Sequence, residues 1–468
     1  MLGTKTIIRF VVAALVLASV PASASAEWNQ YRGNSERTAR GVWENARPIS
    51  AVEWRVTISD QITTDDGAPV VSDSGFIYVP TTPRTVVGPN NGGDVSRISA
   101  YAPNGTQLWT RQLGNFELRS APVVRRDGGL IVVGFRGHGS ESEEAVFLLD
   151  ASTGDPRASN MGSGRALNAA PLLDPVRNET YVFRYLGVLL RIDSPFQTTR
   201  EVRLTPDLEG ESGLRFPPCG FPCEFDTRAT SGIIPFASPA PTFSSRCGDI
   251  VGASFGGYAK FVRRFWPHTG NGTWRSDDLA VVTAPVVGQT GRAYLLTRDD
   301  GRLRLEARDQ DGDRVWRGSR DLRRVNGPPA LGVDPRGRSG DPIECTRVEP
   351  SGARVRIRDH SLWRDRIYVA HLKREGDNNV GVLRAYGPRG AELWSRRLGD
   401  IVPTPPVVLR SAQGLETVIV ASGRRLTAYR QDGSSIWRRT LDSPVRGTPA
   451  VSDGRIYVAT QRSLYAIR

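Results

Sequence analysis

The stretch AYGPRGAELW, Ala385–Trp394, decides the fold, because the chain repeats its pattern. AYAPNGTQLW (Ala100–Trp109), ARDQDGDRVW (Ala307–Trp316) and AYRQDGSSIW (Ala428–Trp437) superimpose on it without gaps. Each has an alanine, a glycine five residues later and a tryptophan four after that. Such a segment reads as a hairpin. An apolar strand ends, a turn of Pro, Asn, Asp and Gly reverses the chain, and a second strand carries a large aromatic inward. Past each tryptophan comes a proline-led apolar run: APVV at Ala121, GPPAL at Gly327, TPPVV at Thr404 and TPAV at Thr448. A turn such as SDG and a strand such as IYV follow.

Taking that proline as the counter gives Pro69, Pro122, Pro171, Pro241, Pro285, Pro329, Pro406 and Pro449, spaced by 43 or 44 residues at the tightest. A period in the mid-forties made of short strands is that of a four-stranded propeller blade. The expected fold class is therefore all-β: an eight-bladed β-propeller of four-stranded blades, one domain over residues 27–468, with insertions near 205–240 and 333–363. The last copy, PAVSDGRIYVATQRSLYAIR (Pro449–Arg468), supplies only three strands. AVEWRVTI, residues 51–58, supplies an orphan fourth. The N-terminal strand is predicted to complete the C-terminal blade and close the ring, which removes two free sheet edges. Trp54, Trp109, Trp274, Trp316, Trp394 and Trp437 are the expected structural blade tryptophans. Two copies depart from the pattern: the second has Ala158 where tryptophan is expected, and the third has only QTTREVRL (Gln197–Leu204).

Residues 1–26 stand apart. Lys5 and Arg9 give a positive start, Phe10–Ala18 is an unbroken apolar run, and Ala24-Ser25-Ala26 offers small residues for cleavage. The run is far short of the ~20 residues of a spanning helix, and the pattern is that of a cleaved secretory signal. Glu27 is then the mature start. No cysteine follows the cleavage site, so no lipid attachment is expected, and no later segment is apolar enough to anchor the chain in a membrane. The expected location is periplasmic or secreted, as a monomer.

The four cysteines, Cys219, Cys223, Cys247 and Cys345, fit an oxidising compartment, where an even number points to disulfides. In a propeller the strands alternate direction, so the loops between first and second strands share one face with those between third and fourth. Cys219 and Cys223 precede the strand at Pro241; Cys247 follows it, and Cys345 sits in the insertion after Pro329. Because a disulfide tolerates only about 4.4–6.8 Å between Cα atoms, bonds across the ring are excluded. The pairs expected are Cys219–Cys223 and Cys247–Cys345. A zinc site would need a second ligand pair that Cys219 and Cys223 lack.

The formal charge is +13, and nearly every cation is arginine. The arginines alternate with aspartates, as in RDQDGDR and RDHSLWRDR, without a stripe of interleaved aromatics. That is a solvated mixed-charge surface and argues against nucleic acid as a partner.

The eight copies, the tryptophan on the outer strand, PAVSDGRIYVAT followed by SLYAI, and the start EWNQYRGNSERTARG together resemble the pyrroloquinoline-quinone-type (PQQ-like) β-propeller repeat. Members of that family include quinoprotein dehydrogenases and the propeller lipoprotein of the outer-membrane barrel-assembly machinery. The family's dehydrogenases use two adjacent, disulfide-bonded cysteines over the quinone and a calcium ion held by Glu, Asn and Asp. Here no two cysteines are adjacent and no positions match the calcium ligands. Asp309, Asp311 and Asp313 alternate as in a calcium loop, but Arg320 stands where the bidentate glutamate belongs. His138, His268, His360 and His371 show no metal or base spacing, and no nucleophile elbow or phosphate loop appears. What the sequence supports is a non-catalytic scaffold without cofactor, binding a protein or cell-envelope partner through its loops; the alternative is a quinoprotein dehydrogenase-like enzyme.

Overall fold

The structure is a computed structural model that describes Gly33 and residues 39–43, 51–58, 68–82, 95–163, 170–203, 242–338, 343–348, 354–359 and 363–468, with short breaks inside several of these. Every element among the described residues is a strand; there is no helix. Two strands precede the repeats, β1 (Arg40–Trp43) and β2 (Val52–Thr57). The first sheet is β3 (Val70–Val71), β4 (Ile77–Thr81), β5 (Arg97–Tyr101) and β6 (Gln107–Gln112). The second is β7 (Val123–Val124), β8 (Gly129–Arg136), β9 (Glu143–Asp150) and β10 (Pro156–Ser163). The third is β11 (Leu172–Asp174), β12 (Glu179–Arg184), β13 (Val188–Ile192) and β14 (Thr199–Arg203). The fourth is β15 (Thr242–Ser244), β16 (Asp249–Gly256), β17 (Ala259–Phe265) and β18 (Gly272–Ser276).

The fifth sheet has β19 (Ala280–Val281) and β20 (Val286–Val287) both paired with β21 (Ala293–Asp299), then β22 (Arg302–Arg308) and β23 (Arg314–Arg317). In the sixth, the hairpin β25 (Ile343–Val348) and β26 (Arg354–Asp359) is inserted between β24 (Ala330–Arg338) and β27 (Trp363–Glu375), before β28 (Asn378–Tyr386) and β29 (Glu392–Gly399). The seventh is β30 (Val407–Ser411), β31 (Glu416–Ser422), β32 (Arg425–Arg430) and β33 (Ser435–Thr440). The eighth is β34 (Ala450–Ser452), β35 (Arg455–Ala459) and β36 (Ser463–Ile467), with β2 as its fourth strand.

Each of the eight first strands begins at the residue after one of the counted prolines. Proline has no N–H to give to a ladder, so it sits just ahead of the strand it introduces. Second and third strands are mostly buried, and wholly so in β4 and β36, whereas outer strands alternate half-buried and exposed, as in β2. That contrast follows from sheets stacked face to face, with neighbours covering both faces of the inner strands and only part of the outer one. First strands adjoin from sheet to sheet: β3 with β7 and β34, β11 with β15, β15 with β20, and β24 with β30. QTTREVRL does supply the outer strand of the third sheet, β14, and Ala158 lies on β10 opposite Leu148. Residues 1–26 and 204–241 lie outside the described residues, and with them the leader and the first insertion.

Candidate functional site

The tryptophans explain how one sheet grips the next. Trp109 of the first sheet donates its indole N–H to the carbonyl of Ala151 in the turn of the second, 3.2 Å away. Trp316 of the fifth donates to Pro388 of the sixth at 3.0 Å, and Trp394 of the sixth to Gln431 of the seventh at 2.8 Å. Trp54 donates to Pro103 of the first sheet at 2.8 Å. Each indole also lies flat on the glycine of the turn it meets. A Cβ at Gly105, Gly154, Gly390 or Gly433 would stand 2.6–2.8 Å from Trp54, Trp109, Trp316 or Trp394 respectively, and all four glycines have φ between +75° and +87°. The repeated glycine is therefore required twice, for the left-handed turn and for the ring above it. On the other side each of these rings meets the tyrosine of its own second strand, as Trp54 meets Tyr457 at 6.0 Å between centroids. Trp437 packs half-buried against the core, and Trp274 stands on β18 opposite Arg264.

The two N-terminal strands occupy opposite edges. β2 pairs antiparallel with β36, Trp54 facing Ala466, and Glu53 takes both N–H groups of Arg455 at 2.6 and 2.8 Å. Burial is too slight there to outweigh the arginine, which holds the Glu53 carboxyl below its usual value. β1 runs parallel to β30, with Val408 N–H bonded to the Ala39 carbonyl at 2.8 Å, and adjoins β24 and β34. It thus lies on the inner side of the sixth, seventh and eighth sheets. Sequence reading missed it: four residues, RGVW, carry no alternation to identify a strand.

Buried acids are spent on structure. Asp365 accepts the Tyr294 hydroxyl at 3.0 Å across the fifth and sixth sheets. Glu416 accepts the Val333 N–H at 2.5 Å and the Tyr368 hydroxyl at 3.2 Å across the sixth and seventh. Burial, reinforced by those carboxylates, pushes both phenols well above their usual range. His371 is fully buried, with Nδ1–H donating to Leu372 O at 2.7 Å, and burial lowers its pKa to about 4. An open groove of about 310 Å³ between the first and second sheets is lined by Ser72, Tyr78, Arg125, Asp150 and Arg157. Within it Arg125 pairs with Asp127 and Arg157 with Asp150, and Tyr78 donates to the Ala151 carbonyl. Among the described residues no three His, Cys, Asp or Glu side chains could hold a metal ion. The aspartates of DQDGD build their own turn instead, Asp309 Oδ1 accepting the N–H groups of Asp311 and Asp313 at 3.1 and 2.8 Å.

Of the cysteines, Cys345 stands on β25 opposite Ile357, while Cys219, Cys223 and Cys247 lie outside the described residues.

The PQQ-type family model described as outer membrane protein assembly factor BamB matches residues 379–467, the sixth to eighth copies. The crystal structure of BamB from Moraxella catarrhalis is similar in fold at a TM-score of 0.50 and 12% identity, covering 88% of this chain and 100% of that one. Residues 379–467 thus match the PQQ-type repeat, and the chain as a whole is similar in fold to a β-propeller. No curated protein matches the sequence. In the propeller, the tryptophan dock is the feature that the repeat pattern encodes, and no helix among the described residues is long and apolar enough to cross a membrane.

Proposed function

We propose that this propeller is a non-catalytic scaffold of the cell envelope, exported by residues 1–26, that binds a protein partner through its loops. In this reading the eight sheets form one eight-bladed ring, and β2 closes it as the outer strand of the last blade. The observation that carries the reading is the position of β1. In a propeller the first strands surround the axis. β1 lies against β30 and adjoins β24 and β34, so the chain's own N-terminal segment takes up space on the axial side of these sheets and leaves less room there for a cofactor. What remains for recognition is the outer surface and the insertions. The family model's description as an outer-membrane assembly factor supports an envelope role.

The test is a pair of measurements on the full-length protein. Cross-linking and pull-down from cell envelopes should capture a defined protein partner. Absorbance after addition of quinone and calcium should show no bound quinone. A stoichiometric quinone spectrum with dehydrogenase activity would sink the scaffold reading.

A further inference from the structure

At the junction of the seventh and eighth sheets, several separate segments bring arginines to one face. The connection Leu441–Arg446 is stitched to the β31–β32 turn by Leu441 N–H to Arg424 O at 2.8 Å and Val445 N–H to Gly423 O at 2.9 Å. It is stitched to the β35–β36 turn by Arg446 N–H to Ala459 O at 2.9 Å and Gln461 N–H to Pro444 O at 3.0 Å. The end of β2 joins the same face through Ile58 N–H to Arg462 O at 2.7 Å. Arg424 and Arg425 on one turn, Arg462 on the other, Arg446 on the connection and Arg55 on β2 therefore share a surface, and Arg424, Arg425 and Arg462 are exposed.

Among the described residues of these segments the only carboxylate is Asp442, and it is already well supplied with partners. Ser463 and Ser443 donate to it at 2.6 and 3.0 Å, Thr460 at 3.1 Å, and Arg55 pairs with it at 2.8 Å. Among the described residues no carboxylate pairs with Arg424, Arg425 or Arg462. The apolar residues of these segments, Leu441 and Val445, are buried, so nothing offers to insert into a lipid layer, and the nearby aromatic, Tyr465, is buried beneath Arg55 where no base could stack on it. Asp442 shows what the local chemistry holds: a carboxylate set between a guanidinium and hydroxyls.

We propose that this surface docks an acidic segment, rich in Asp and Glu, of a protein partner. The proposal rests on the scaffold reading and gives it a place on the fold. Arginine suits the task because its planar fork takes a carboxylate through two N–H groups.

The experiment uses the full-length protein and a labelled Glu-rich peptide, followed by fluorescence anisotropy at low and at physiological salt. Arg425→Glu with Arg462→Glu is the test variant, since neither side chain holds another group in place. Arg314→Glu on β23 is the control. The expected result is salt-dependent binding that weakens at least tenfold in the double variant and changes less than twofold in the control. Equal binding by wild type and double variant overturns the proposal. So does an anionic phospholipid vesicle or a single-stranded oligonucleotide that binds through the two arginines while the peptide does not. If the double variant still captures the envelope partner as well as wild type does, the scaffold reading stands and this surface is wrong. If neither captures one, the scaffold reading itself fails.

Discussion

The indole nitrogen of Trp54 donates to the carbonyl of Pro103 across 2.8 Å, joining the eighth sheet to the first. The same contact recurs at Trp109, Trp316 and Trp394 between sheets that follow each other in the chain. Trp54 makes it between the two ends.

Replacing Trp54 separates the parts of this contact. Trp54→Phe keeps most of the ring but leaves the Pro103 carbonyl without its donor, and should cost about 1 kcal/mol. Trp54→Ala also removes the packing on Tyr457 and Gly105, for about 3 kcal/mol. Gly105→Ala should cost at least as much as the phenylalanine variant, since its Cβ would lie 2.8 Å from the ring at a φ of +87°. Urea unfolding of the three variants checks the order.

Deleting residues 27–58 should prevent formation of a stable monomer. β36 would lose its hydrogen-bonded neighbour and become a free edge, open to pairing with another chain. Size-exclusion chromatography and a melting curve decide it; a monomer with an unchanged transition would count against the role of β2.

Glu416 is predicted to matter more than surface acids. Glu416→Ala leaves the buried Val333 N–H and Tyr368 hydroxyl without their acceptor, a loss of about 2–3 kcal/mol. Glu53→Ala, which breaks a more exposed pair with Arg455, should cost under about 1 kcal/mol. Comparing the two by thermal melting tests whether burial sets the difference.

His371 gives the fold a pH dependence of known sign. Burial holds its pKa at about 4 in the folded protein against 6.5 for an ordinary histidine, so the unfolded chain binds more protons between these limits. Stability from this group is present above pH 6.5 and is lost as pH falls towards 4, by an amount on the order of 3 kcal/mol. His371→Asn keeps a donor near Leu372 and removes the titration. Melting temperatures of the two proteins should diverge less at pH 4.5 than at pH 7.5, because only wild type loses stability through protonation here.

Much of the fold was legible because its signals are local. A proline marks the start of every first strand, and the fixed interval from glycine to tryptophan places the ring on the outer strand. That interval also carries a bulge, seen as the register shift between Ala100 and Tyr101 and repeated at Ala385 and Tyr386, which a spacing alone does not show. The docks were not legible, since Trp109 and Ala151 are 42 residues apart and only the stacking of sheets brings them together. β1 was missed because its identity as a strand comes from β30. The arginine surface was missed for a related reason: read along the chain, each arginine has ordinary neighbours, and the charge accumulates only where turns of two sheets meet.

Glu53 and Arg455 are 402 residues apart and lie on the same sheet. A ribosome therefore releases β2 long before its partner exists. The strand with the earliest place in the sequence is among the last to find its position, and until β36 appears both it and its future neighbours are unfinished edges. Folding of this chain has a strict finishing step, set by topology and not by the strength of any one contact. Until β36 is in place, the incomplete sheet keeps an edge open to pairing with another copy of the chain.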